Sequence, residues 1–225
     1  MDVENLRWWG WGTLDETYSL ERRPNFWPML QERLALPDGA IEQETAPVKL
    51  EDISLPPGRL DDPVLSSLRR LLGDESVRVD SRCRIEHAYG KSYRDLVRIR
   101  AGYIPHPPDA VVYPTGEADV VALLAWAAER DVAVVPFGGG SSVVGGVEPP
   151  HDDGATITLD LAHLDQILAI DREARTARIQ AGARGPEIEA RLNEDGFTLG
   201  HFPQSFEFST LGGWIATRAA GQTSI

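Results

Sequence analysis

Two patterns of hydrophobic and polar residues alternate along the C-terminal half of the chain: short apolar runs, and apolar residues spaced three or four positions apart. Short apolar runs at residues 110–113 and 132–135 have the length and the β-branched content of strands. Between them, residues 117–130 repeat apolar side chains every three or four positions, which predicts a helix that Thr115 would cap. If both strands share a sheet, this unit requires a parallel crossover. The predicted buried face of the helix consists of Val120, Val121, Leu124, Ala127 and Ala128.

The same patterns predict further elements on both sides of this unit. Residues 156–161 alternate so that Ile157, Leu159 and Leu161 would point inward. The other predicted elements are strands at 166–170 and 177–180 and helices at 25–36, 62–72, 185–195 and 209–220. We therefore expect an α+β fold, with residues 1–104 as an N-terminal extension of short helices and residues 105–225 as the main domain. The chain stops soon after the last predicted helix, and we expect a C-terminally truncated domain.

Charge and composition narrow the classes of function. The net charge is −13, from 22 Lys and Arg against 35 Asp and Glu, so nucleic acid would be repelled at long range. An anionic ligand must then be held locally, by backbone amides or a few placed cations. Cys83 is the only cysteine, and no signal peptide, transit peptide or membrane span is visible, which predicts a cytoplasmic protein. His87 and His201 lack partners at metal-ligand spacing, so we expect no metal.

The first candidate site is a glycine-rich turn, PFGGGSSVVGG, at residues 136–146 directly after a predicted strand. Glycines allow positive φ values and close approach of the backbone to a ligand. Consecutive inward amides form an anion nest that suits a diphosphate. No Lys-Ser or Lys-Thr follows the glycines and the spacing is not G-x-G-x-x-G, which excludes the two commonest phosphate loops. A glycine-rich loop without a ligand is the alternative.

The second candidate site is the segment at residues 203–221. Gly213, Ala216, Thr217 and Ala220 would share one helix face, which a flat ring or a second backbone could approach. Thr210 would cap that helix, so that its N-terminus could face a phosphate. Tight packing of the helix on a sheet explains the small residues equally well.

Together, the two segments carry a family resemblance. A PxGGGxS turn after a strand, followed by STxGGxxATRA, resembles the FAD-contacting segments of the vanillyl-alcohol oxidase, or PCMH-type, flavoprotein family. Within it, the pattern is most similar to the alkylglycerone-phosphate synthases. The resemblance covers nearly the whole chain and includes RWWGWG at 7–12, where the synthases have Asn in place of Trp9, together with HAYG at 87–90 and PPDAVVYP at 107–114.

This resemblance implies a domain of two α/β subdomains, the second incomplete, with FAD between them. It also implies non-covalent FAD, because the glycine turn lacks the histidine that covalent members often place there. The implied cofactor-binding residues are Pro136, Phe137, Gly138, Gly139, Gly140, Ser141, Ser142, Val143, Pro203, Gln204, Ser205, Phe206, Glu207, Phe208, Ser209, Thr210, Gly212, Gly213, Ala216, Thr217, Arg218 and Ala219.

The implied activity is exchange of the acyl chain of an acyl-dihydroxyacetone phosphate for a fatty alcohol in ether lipid synthesis. Its catalytic residues are expected beyond Ile225. The alternatives are an FAD-linked dehydrogenase of 2-hydroxy acids such as lactate or glycolate, and an inactive truncated fragment. Besides FAD, we expect a small or lipid-like substrate. Peripheral membrane contact through the N-terminal tryptophans and a homodimer are further options, although the tryptophans fit better as anchors of the extension.

Overall fold

A four-stranded sheet lies at the centre of the computed structural model, which describes residues 5–16, 20–40, 46–151 and 154–224. The strands occur in the order β1, β2, β4, β3 across the sheet. β1 is antiparallel to β2, whereas β2 and β3 both run parallel to β4. Their bounds are β1 Val77–Arg78, β2 Ala110–Val112, β3 Ala133–Phe137 and β4 Thr156–Asp160.

Seven α-helices are present within the described ranges. Asp61 caps α2 by accepting a hydrogen bond from the Val64 amide at 2.9 Å, and Ser92 and Asp95 form a capping box at the start of α4. None of the seven is long and apolar enough to cross a membrane. Their bounds are α1 Phe26–Leu34, α2 Asp62–Leu72, α3 Ser81–Glu86, α4 Tyr93–Arg100, α5 Glu117–Ala128, α6 Gly185–Glu194 and α7 Leu211–Thr217.

The parallel crossover expected from the sequence is confirmed, with α5 joining β2 to β3 and β4 inserted between those two strands. The prediction that only alternate residues of β4 face inward is wrong. All five residues of the strand are buried, Thr156, Thr158 and Asp160 included. A central parallel strand is covered on both faces, so it need not alternate.

Two predictions about α5 are also wrong. Gly116 is the N-cap residue, and the amide and hydroxyl of Thr115 both donate to Asp119 Oδ2 at 2.8 Å. The buried residues are Leu123, Trp126 and Ala127, whereas Val121 is 63% exposed. Leu124 and Ala128, expected on the buried face, are exposed as well. Nearly every position of this helix is apolar, so spacing alone could not locate the face that packs on the sheet.

The main core combines residues from both sides of the proposed boundary at residue 105. Leu68 of α2 and Val77 of β1 are buried in one cluster with Leu123 of α5 and Ile157 of β4. β1 pairs with β2 across the same boundary. The division into an extension and a domain stays a prediction, but from α2 onward the N-terminal half contributes to the central sheet and its core.

A smaller unit follows the central sheet. β5 (Ile167–Asp171) and β6 (Thr176–Ile179) form the predicted antiparallel hairpin. It packs with α6 and α7 around a cluster of Ala183, Ile188, Leu192 and Trp214. α7 is shorter than predicted, because Arg218 takes a left-handed conformation with φ of 52° and ends the helix. Ala220 therefore lies outside the helix and does not share a helix face with Gly213.

Candidate cofactor site

The glycine turn and the second candidate segment lie against each other, although about seventy residues separate them in the sequence. A side chain at Gly138 would collide with the Thr210 hydroxyl, and one at Gly139 would collide with the Phe208 carbonyl oxygen. Thr210 also forms an isolated β-bridge with Arg184. Gly139 requires glycine because two backbones approach closely there, and Gly138 requires it because the Thr210 side chain fills the adjoining space.

The backbone amides of the turn are unused. In the part of the chain that the structure describes, none of the amides from Gly138 to Val143 donates a hydrogen bond to a protein group. Gly140 has a φ of +63°. The Ser142 hydroxyl instead accepts from the Gly146 amide at 3.1 Å, which closes the turn. A row of unpaired donors at a concave surface is the arrangement that binds an anion such as a diphosphate.

A cleft of about 700 Å³ opens beside this turn. Its volume falls within the usual range for a cofactor or small-molecule site. It lies at the carboxyl ends of β2, β3 and β4, where Tyr113, Phe137 and Asp160 line it, and this is where open parallel sheets bind ligands. The N-terminal segment from Leu6 to Gly12 forms another wall.

Charged groups of both signs line the cleft, which limits how far the overall negative charge of the chain repels an anion from it. Its cations can locally offset the carboxylates around them. The basic residues are Arg7, Arg78, Arg82, Lys91 and Arg184, and the acidic residues are Asp80, Glu86, Asp160, Asp165 and Glu187.

A buried ion pair between His87 and Asp160 forms part of the cleft lining. His87 Nε2 lies 2.9 Å from Asp160 Oδ2, and Nδ1 lies 2.7 Å from the Cys83 carbonyl oxygen. Burial alone would lower the pKa of His87, but the hydrogen bond and negative charge of Asp160, together with the Cys83 side chain, outweigh it and raise the pKa to about 10. Both ring nitrogens therefore donate, and the imidazolium contacts the ring of Phe137 at 4.4 Å, directly before the glycine turn.

This ion pair was not anticipated from the sequence, where His87 was considered only as a metal ligand. Its partner lies 73 residues away, so no local spacing links the two. The available signal was the position of Asp160 at the carboxyl end of a predicted buried strand. Arg98 forms another largely buried ion pair, since its guanidinium lies 2.7 Å from Glu148 Oε1 and its side chain is only 13% exposed.

The sequence-predicted site residues divide into those that line the cleft and those that do not. Lining it are Phe137, Gly138, Gly139, Gly140, Phe208 and Thr210. Outside the lining but at least partly buried are Ser141, Ser142, Pro203, Ser205, Phe206, Ser209, Gly212 and Ala219. Outside it and exposed are Pro136, Val143, Gln204, Glu207, Gly213, Ala216, Thr217 and Arg218. For all three groups, cofactor contact stays a prediction.

Packing alone explains part of the second segment. Phe206 stacks on Trp214 with a centroid separation of 6.1 Å, and a side chain at Gly185 would collide with the Phe206 ring. The Gly212 amide donates to the Ala181 carbonyl at 2.8 Å, so this glycine packs against the backbone of the segment that follows β6. Thr210 occupies the N-cap position as predicted, but its side chain makes no capping hydrogen bond. Its hydroxyl is instead the group that packs against Gly138.

Comparison with known proteins places this geometry in a family. The family model described as the FAD binding domain matches residues 108–225, just over half of the chain. The chain belongs to this family. The match covers the glycine turn and the second segment together, and it confirms the predicted relation to FAD-dependent enzymes and FAD as the cofactor of the family.

Individual relatives match over a longer stretch that includes the N-terminal segment. An alkyldihydroxyacetonephosphate synthase of Trypanosoma brucei brucei is 38% identical over 98% of this chain and 39% of its own length. The synthase of Dictyostelium discoideum is 34% identical over the same shares. A solved alkyldihydroxyacetonephosphate synthase structure superposes with a TM-score of 0.85 at 33% identity, covering 96% of this chain and 44% of that one. The chain thus spans about two fifths of the length of the relatives it matches.

Proposed function

We propose that the cleft binds FAD non-covalently, with the amides of Gly138 to Ser142 holding the diphosphate. The observation that carries this proposal is the row of unpaired amides at the turn, of which Gly138, Gly139 and Gly140 line the same cleft as Phe208 and Thr210. The rest of the 203–219 segment would support the cofactor-binding wall. The absence of histidine from residues 136–146 supports a dissociable cofactor.

The residues of this chain would bind and orient FAD, while the cofactor would supply the flavin ring at which the reaction takes place. The imidazolium of His87 lies under Phe137 and fixes the end of β3, from which the glycine turn begins. Because both nitrogens of His87 already donate to protein acceptors, we assign it a positioning role.

We further propose that the whole protein exchanges the acyl chain of an acyl-dihydroxyacetone phosphate for a fatty alcohol. Support comes from the two synthases, which match along nearly the entire chain, N-terminal segment included. The groups that would act on the substrate are expected beyond Ile225. The alternative retained from the sequence is FAD-linked oxidation of 2-hydroxy acids.

Two measurements test these proposals separately. Titrating the 225-residue chain with FAD and following flavin fluorescence should show saturable quenching, and Gly139→Val should abolish it because the new side chain occupies the space of the Phe208 carbonyl. Unquenched FAD up to high micromolar concentration would refute cofactor binding by this chain. With the full-length protein, incorporation of labelled fatty alcohol supports the synthase proposal, whereas reduction of the flavin by lactate or glycolate supports the alternative.

A further inference from the structure

Lys91 lies next to the glycine turn. Its backbone amide donates to the Ser142 carbonyl at 2.7 Å, and a side chain at the preceding Gly90 would collide with that same oxygen. Residues 90 and 91 are therefore packed on the C-terminal half of the turn. The sequence holds only two lysines, Lys49 and Lys91.

The Lys91 side chain extends from the turn to the N-terminal segment. Nζ lies 3.4 Å from the Arg7 carbonyl oxygen and 3.3 Å from the Trp8 carbonyl oxygen, and the residue lines the cleft. Two walls of the cleft thus meet at this one residue, the glycine turn at its backbone amide and the segment from Leu6 to Gly12 at its ammonium group.

The charge of this ammonium is not neutralised by the protein. Among the described residues, no carboxylate lies within ion-pair distance of Nζ, and its two carbonyl contacts are long and uncharged. Burial lowers the pKa of Lys91 to about 8, with Glu86 opposing the shift only from a distance. A partly buried cation without a counterion is costly, and a bound anion would remove that cost.

We propose that Lys91 is a phosphate-binding residue, which holds a phosphate group of the ligand in the cleft and ties the N-terminal segment over it. This inference rests on the proposed FAD site. Two sources share the required chemistry, namely the diphosphate of FAD and the phosphate of a dihydroxyacetone phosphate substrate. In either case, the ammonium would complement the unpaired amides of the turn, because charge-assisted hydrogen bonds to phosphate are stronger than neutral ones.

Affinity measurements with paired variants test the role of the charge. Lys91→Met should weaken FAD binding by about tenfold or more, while riboflavin, which has no phosphate, should bind equally to variant and wild type. Lys91→Arg should retain most of the affinity. Lys49→Met is the matched control, since it removes the same charge at an exposed position outside the cleft. Thermal melting of each variant verifies that it is folded.

Amine acetylation followed by mass spectrometry gives a second readout that needs no variant. Protection of Lys91 but not Lys49 by FAD assigns the ammonium to the cofactor diphosphate. Protection that appears only when dihydroxyacetone phosphate is added to FAD-saturated protein assigns it to the substrate phosphate, and Lys91→Met should then weaken binding of that compound instead. If FAD binds but neither compound protects Lys91 and Lys91→Met binds both normally, the inference is overturned and the FAD site stands. If wild type does not bind FAD, both are overturned.

Discussion

Replacing Gly139 with alanine tests whether the contact between the turn and residues 208–210 builds the cleft. The added Cβ would collide with the Phe208 carbonyl oxygen, approach the Phe208 carbonyl carbon to 2.7 Å and lie 3.2 Å from Ser209 Cα. All three are backbone atoms, so no side chain can rotate away and the two walls must separate. Overpacking of this kind costs about 1–3 kcal/mol. For a chain of this size, that lowers Tm by about 2–4 °C per kcal/mol.

The assay combines thermal unfolding with FAD titration of Gly139→Ala and Gly116→Ala. A Cβ at Gly116 meets nothing within 4 Å and its φ of −157° is extended backbone, so this control adds no clash and loses only the preference for glycine over alanine at an N-cap, about 0.5–1 kcal/mol. Gly139→Ala should lower Tm and weaken FAD binding by about tenfold or more, the factor that corresponds to 1.4 kcal/mol. If Gly139→Ala matched Gly116→Ala in both measurements, the close approach would not build the binding site.

Two buried ionic contacts give the remaining predictions about stability. The folded-state pKa of His87, about 10, lies above the ordinary value of 6.5, so its stabilisation is complete below pH 6.5 and is lost as the pH rises through 10. The Tm of wild type should therefore exceed that of His87→Gln at pH 6, and a gap that stays constant to pH 10 would contradict the ion pair. Asp109 accepts from the Arg59 and Thr156 amides at 2.8 and 2.7 Å. Asp109→Asn should reduce the free energy of unfolding by about 1.5–3 kcal/mol, and an unchanged urea midpoint would refute this.

The sequence predicts elements best where a local rule decides the structure. The hairpin of β5 and β6 and the α6 helix follow from β-branched runs, a turn and Pro186 at the helix start. The glycine turn was predictable for a similar reason, because consecutive glycines after a strand have few uses other than close backbone approach. The structure adds the identity of the approaching backbone, residues 208–210.

The features that the sequence does not predict are those determined by contacts between residues far apart in the chain. The face of α5 that packs on the sheet depends on the positions of Leu68 and Ile157. The apolar sequence of the helix does not indicate where those two residues lie. The His87 pair with Asp160 spans the chain between α3 and the end of β4, and the Lys91 contacts reach back to Arg7 and Trp8. Such contacts arise when the sheet assembles, so sequence spacing could not reveal them.

The central claim is that the unpaired amides of the glycine turn hold the FAD diphosphate. The most direct measurement is an NMR titration of the chain labelled with ¹⁵N-glycine, in which the amide resonances of Gly138, Gly139 and Gly140 are followed on adding FAD. We predict large shifts of these three signals at the same FAD concentration that quenches flavin fluorescence, and little change for Gly116. Saturable FAD binding that leaves Gly138 to Gly140 unshifted would contradict the account.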